Sequence, residues 1–328
     1  MEEEDRGRVW RLYGWYSGLM ACGSCVGAVT WAAQMISYVY SFEADSRPNL
    51  NAEYLSLSAS ERSWYAVFLV TYGIEFLCLS AAKLMVLDRM SVFAAPQGIG
   101  MRRRWAAAGR VVMAVVVLGN AVGLAANVAA AVHYQKAAHA MSAASAYYAA
   151  NNTKDGEKYV SLSKEERQLG GSIVSVQMFC EVAVLLLIVV AFVAVGVLSA
   201  RRVSSRLLGV DAASAAAATG RALRRRMLGT TAFVFVTFLI RSAFSTMNAV
   251  VLGLRDIDKE CPGLEKFTYC DACYNDYTHI VGWMNETPEF QSTIVLISSP
   301  VALLVALWGM TSKATLQLMK SSGQESAM

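Results

Sequence analysis

The sequence predicts an all-α, polytopic transmembrane helix bundle of six spans, with signs of a repeated two-helix hairpin. Three observations carry this. Of 328 residues, 55% are hydrophobic and only 16% are charged, where a soluble domain carries about a quarter charged. The charges are confined to short segments between apolar runs longer than the ~18 residues that mark a membrane helix. The sign of those segments also alternates along the chain.

The spans, in order, are residues 16–40, 64–88, 111–135, 173–199, 230–254 and 292–312, each close to the ~20 residues needed to cross ~30 Å of hydrocarbon. Segment 1–15 precedes the first. It opens Met1-Glu2-Glu3-Glu4-Asp5, which is acidic where a cleavable leader is basic, so the first span is expected to act as its own targeting signal. Between the spans the connecting segments are under 40 residues, too short for a soluble domain with a sizeable core. Residues 313–328 form a tail.

Charge sets the expected orientation, because short cytoplasmic loops retain Lys and Arg. Segment 91–110 carries Arg102, Arg103, Arg104 and Arg110 without an acid, and 201–228 carries seven arginines against Asp211. Both are expected inside. Segments 43–63, 138–171 and 255–290 carry four, four and eight acids against two, four and three bases, and are expected outside. The sequons at Asn151 and Asn285 fall in outer segments, making them candidate glycosylation sites on a plasma-membrane or endomembrane protein with both termini cytoplasmic. Trp64 and Tyr65 fall where the second span should meet outer headgroups. The inner arginines serve topology and anionic lipid, and no nucleic-acid partner is expected.

Residues 54–62 (YLSLSASER) and 159–167 (YVSLSKEER) match at six of nine positions, each leading into a span. The S-x-x-E pairs Ser58/Glu61 and Ser163/Glu166 predict capping boxes at two helix starts. Glu75 lies 17 residues after Ser58 and Glu181 lies 18 after Ser163, roughly 25 to 27 Å along each helix. The two carboxylates are therefore expected at matched depth. Gly23-x-x-x-Gly27 and Gly119-x-x-x-Gly123 extend the echo and suit close helix packing.

Ionisable groups are costly in a bilayer and face a partner or a wet cavity. The candidates for a polar pathway are Glu75, Glu181 and Arg241, with the amides Asn120, Asn127 and Asn248. Asn120/Asn127 and Arg241/Asn248 are each seven apart, so each pair shares a helix face. Lys83 is expected to snorkel to the inner interface. Cys261, Cys270 and Cys273 lie in an outer segment, where thiols pair, so one disulfide is expected there without a defined connectivity. Cys22, Cys25, Cys78 and Cys180 read as small core residues.

No cofactor and no metal are expected: His133, His139 and His279 lie in dissimilar places, and no nucleophile–base pair appears, so the protein is not expected to be an enzyme. The leading expectation is a small-solute or proton-coupled transporter or channel embedded in the lipid bilayer, moving an unidentified solute or ion. The alternatives are a receptor or sensor with a disulfide-bonded outer loop and a cytoplasmic partner at 201–228, or an accessory membrane protein.

Overall fold

The computed structural model describes residues 2–47, 51–94, 99–207, 215–254 and the isolated Val301. Among them there are five helices and no strand: α1 Glu2–Asp45, α2 Ala52–Ala94, α3 Ile99–Ala149, α4 Thr153–Leu207 and α5 Ala215–Leu254. Each is long and apolar enough to cross a membrane. Apart from Val301, the span expected over 292–312 lies outside the described residues, as do the tail 313–328, Asn285, Cys261, Cys270 and Cys273.

Each helix packs against the next in sequence, and α2 also packs against α4. Among the described elements α2 and α4 therefore each meet three neighbours, and the apolar stretch of α2 is the most buried of the five. Outer surfaces are apolar: α3 alone exposes Val111, Val115, Leu118, Val122 and Val132. That pattern is stable only where the surrounding solvent is as apolar as the side chains, as in lipid.

The helices run far past the expected spans. The α4 helix has 55 residues, about 80 Å at ~1.5 Å per residue. Segments 52–63, 138–149 and 153–171, expected as loops, are helical. They pack on one another through Leu55, Met141 and Ala144, flanked by Tyr54, Tyr148, Tyr159 and Val160. The alanine-rich stretch 137–150 explains this: Ala has the highest helix propensity, and its small side chain lets neighbouring helices approach. Hydropathy marks where a helix can enter lipid and is silent on where it ends.

The predicted capping boxes are corrected accordingly. Ser58 and Ser163 lie inside α2 and α4 and are buried. The caps are asparagines about two and three turns earlier. Asn51 accepts the Tyr54 N–H at 2.7 Å; Asn152 accepts the Asp155 N–H at 3.4 Å and donates to that carboxylate at 2.7 Å. Between α3 and α4, Asn151 takes a left-handed φ of 59°, a conformation that asparagine tolerates better than most residues, and its side chain is exposed.

Above and below the middle of the bundle lie two apolar layers. One is built from Ala33, Phe68, Leu69, Ala130, Tyr134 and Val174. The other holds Tyr16, Leu84, Val116, Ile188, Phe192 and Phe238. The α1 helix departs from expectation in one respect: Cys22 and Cys25 are exposed, while Cys78 of α2 is buried.

Candidate functional site

Between the two apolar layers sits a polar one. Gln177 and Glu181 are four residues apart and so share one face of α4. Glu181 meets Arg241 of α5 at 3.1 Å, and both side chains are at most 3% exposed. Tyr72 of α2 donates its hydroxyl proton to the Glu181 carboxylate, 2.8 and 2.9 Å from the two oxygens. The same hydroxyl oxygen accepts from Arg241 Nη2 at 3.3 Å. Gln177 Nε2 reaches Glu181 at 3.5 Å. A carboxylate buried this deeply would be very costly alone; here a cation and two further donors replace its lost hydration. The Arg241 guanidinium also lies over the Phe76 ring at 5.8 Å, a cation–π contact.

Beside these groups is a cavity of about 30 Å³ lined by Tyr72, Asn127, Gln177, Glu181, Arg241 and Ser245 together with apolar side chains. A space of that size holds one or two water molecules, and its polar lining offers them partners.

Glu75 lies one helical turn beyond Tyr72 but faces α1. Its carboxyl packs where Gly27 leaves room: a Cβ on Gly27 would sit 3.0 Å from the Glu75 carboxyl carbon. Thr30 of α1 is a close neighbour whose hydroxyl donates to the Val26 carbonyl of its own helix at 2.9 Å, and the Oε2 atom of Glu75 has no hydrogen-bond partner among the described residues. Both carboxylates lie within electrostatic reach of Arg241.

Lys83 is two turns further along α2 and corrects the expectation of snorkelling. It is fully buried, with its ammonium 4.7 Å from the Phe238 ring centre and without a hydrogen-bond partner among the described residues. The α2 helix is too central for the side chain to reach an edge. Position 83 shares the inward face of Tyr72, Phe76 and Leu79, so its stem enters the apolar layer instead of skirting it.

Of the amides, Asn127 lines the cavity and lies against Gly73 of α2. Asn120 is buried but donates to its own helix, to the Val116 carbonyl at 2.7 Å. Asn248 lies in α5, with its side chain outside those described. The structure thus brings Glu181, Arg241 and Asn127 to one cavity and leaves Glu75 and Asn120 on other faces. Tyr72 and Gln177 were missed by a search confined to charges and asparagines. The spacing of Gln177 four residues before Glu181 was the available signal; a tyrosine in a span carries none.

Three of the four paired glycines, Gly23, Gly27 and Gly119, serve close approach. A Cβ on Gly119 would come within 2.5 Å of Val184 on α4, and Gly23 faces Cys78 and Leu79 on α2. Gly123 faces open space.

No protein-family model matches this chain, and no curated protein or solved structure matches it either.

Proposed function

We propose that this multi-pass membrane protein is a proton-coupled or small-cation transporter or channel whose working carboxyl is Glu75, with Glu181, Tyr72 and Arg241 as the polar frame beside it. The observation that carries the reading is a polar layer, contributed by α2, α3, α4 and α5 around a water-sized cavity inside a bundle whose outer surfaces are apolar. Apolar residues in the same places would hold helices together at least as well, so an ionisable layer suits the passage or storage of charge. Glu75 is the better carrier. Among the described residues its Oε2 has no partner and can accept a proton or a cation, whereas both oxygens of Glu181 are already engaged.

The test is proton flux, followed by small-cation flux, in proteoliposomes holding the full chain or Glu75→Gln. The expected result is flux in the wild type that is lost in the variant while the melting temperature stays the same. Absence of flux for either class, or flux unchanged in Glu75→Gln, would overturn the reading.

A receptor or sensor is the second reading, and one observation favours it. The helical extensions of α2, α3 and α4 pack into a three-helix projection with its own small core, which gives a ligand a folded surface. The arginines Arg201, Arg221, Arg224 and Arg225 are exposed at the other end of the bundle, where an acidic partner or anionic lipid could engage them. In the orientation we favour, with the termini and these arginines cytoplasmic, Asn151 is extracellular or lumenal. A glycosidase-sensitive mass shift lost in Asn151→Gln would agree with that orientation.

A further inference from the structure

About ten residues along α2 from Tyr72, towards the α3–α4 turn, lies a second group of charges, one of them buried, that the polar layer does not use. Arg62 is 4% exposed. One of its terminal nitrogens donates to the Ser163 hydroxyl, which in turn donates to the Ala137 carbonyl at 2.5 Å. Arg167 of α4 is close enough to act electrostatically on Arg62. The buried Nε atoms of both arginines have no hydrogen-bond partner among the described residues.

Among the described residues neither Glu61 nor Glu166 makes an ion pair with Arg62 or Arg167. Glu166 is committed to His133 at 2.7 Å, and Glu61 contributes an opposing field. Arg62 is withdrawn from water while Arg167 is partly exposed; their like charges repel, and each carries a donor fork suited to bidentate oxygens. Orphaned buried donors of this kind point to an occupant. The sequence echo strengthens the point, since Glu61-Arg62 and Glu166-Arg167 are the same step of the two matching segments. The Arg62 side chain reaches α4 at Ser163, one helical turn before Arg167 and on the same face.

We infer that Arg62 and Arg167 form a binding site for a phosphate-type oxyanion, separate from the polar layer. Trp64 and Tyr65 follow directly on α2, so the site stands at the level where a phospholipid headgroup or a dissolved phosphate can reach it.

The experiment is thermal unfolding of the full chain in detergent, stripped of lipid, followed by tryptophan fluorescence. Inorganic phosphate and a short-chain phosphatidic acid are each titrated against chloride at matched ionic strength. A bound oxyanion raises the melting temperature with the logarithm of its concentration. Phosphate-dependent stabilisation in the wild type is expected, with apparent affinity weakened about tenfold or more in Arg167→Gln, as the loss of charged hydrogen bonds implies. Arg167→Lys keeps the charge without the fork, and an intermediate loss there identifies geometry as part of recognition. A response to phosphatidic acid alone assigns the oxyanion to lipid; a response to both assigns it to a soluble source as well. Equal curves in phosphate, phosphatidic acid and chloride would overturn the site, as would an undiminished response in Arg167→Gln.

Discussion

Glu75 and Glu181 lie at neighbouring levels of the same bundle, yet their surroundings differ in kind. Glu181 is held by an arginine, a tyrosine and a glutamine from three helices, and its negative charge is matched within the bundle. Glu75 is pressed against the backbone of α1 at Gly27, with one oxygen that has no partner among the described residues. A carboxylate with every acceptor filled is a joint between helices, whereas one with an acceptor to spare can exchange what it holds. The comparison separates stability from function: the first should matter for folding and the second for activity.

The largest effect should come from breaking the joint. Replacing Glu181 with alanine leaves Arg241 a buried cation without its main partner, and a cost of about 3–5 kcal/mol is expected, read as a lowered melting temperature or denaturant midpoint. The double variant Glu181→Met, Arg241→Met removes both charges together and should recover most of that loss. If the single variant is as stable as wild type, the contrast with Glu75 collapses.

Next in size is the α1–α2 seam. Gly27→Ala places a methyl 3.0 Å from the Glu75 carboxyl, and overpacking of this kind costs about 1–3 kcal/mol. Because the added methyl displaces the proposed working group, flux in proteoliposomes should fall as well. Tyr72→Phe removes one donor to Glu181 while keeping the ring, and should cost about 0.6–1.7 kcal/mol, the range for hydrogen bonds between membrane helices. Unchanged thermal stability there would show that the tyrosine hydroxyl only fills space.

The smallest stability effect is expected at Glu75 itself. Glu75→Gln keeps the volume and removes a charge that has no ion pair among the described residues, so its stability change should stay within about 1 kcal/mol while flux is lost. His133 and Glu166 offer a calibration outside the polar layer. Their side chains are 21% and 22% exposed, so Glu166→Gln should cost no more than about 1 kcal/mol.

Much of the architecture was legible in the sequence. Five of the expected spans fall inside five long helices, because an apolar run of ~20 residues has few alternatives to a membrane helix. The same reading missed the helical projection around Leu55 and Met141, since polar, alanine-rich helices leave no mark on a hydropathy profile. It also took Ser58 and Ser163 for caps. S-x-x-E recurs by chance inside helices, where the serine can turn inward and bond a neighbouring helix, as Ser163 does with Ala137. For the site, composition alone singled out Glu75, Glu181, Arg241 and Asn127, because charges and amides are rare in apolar runs. It could not order them by role.

The sequence by itself determined the class of molecule, the helices able to enter lipid and the few ionisable groups they carry. Those follow from the cost of exposing backbone and charge to hydrocarbon, a cost that each segment meets locally. Only the tertiary structure decided that Arg241 joins Glu181 and Tyr72, that Glu75 turns to α1, and that Lys83 enters the apolar layer. Partner choice depends on the rotation of each helix about its axis. That rotation is fixed by packing between residues 60 to 169 positions apart, which no local pattern of side chains encodes.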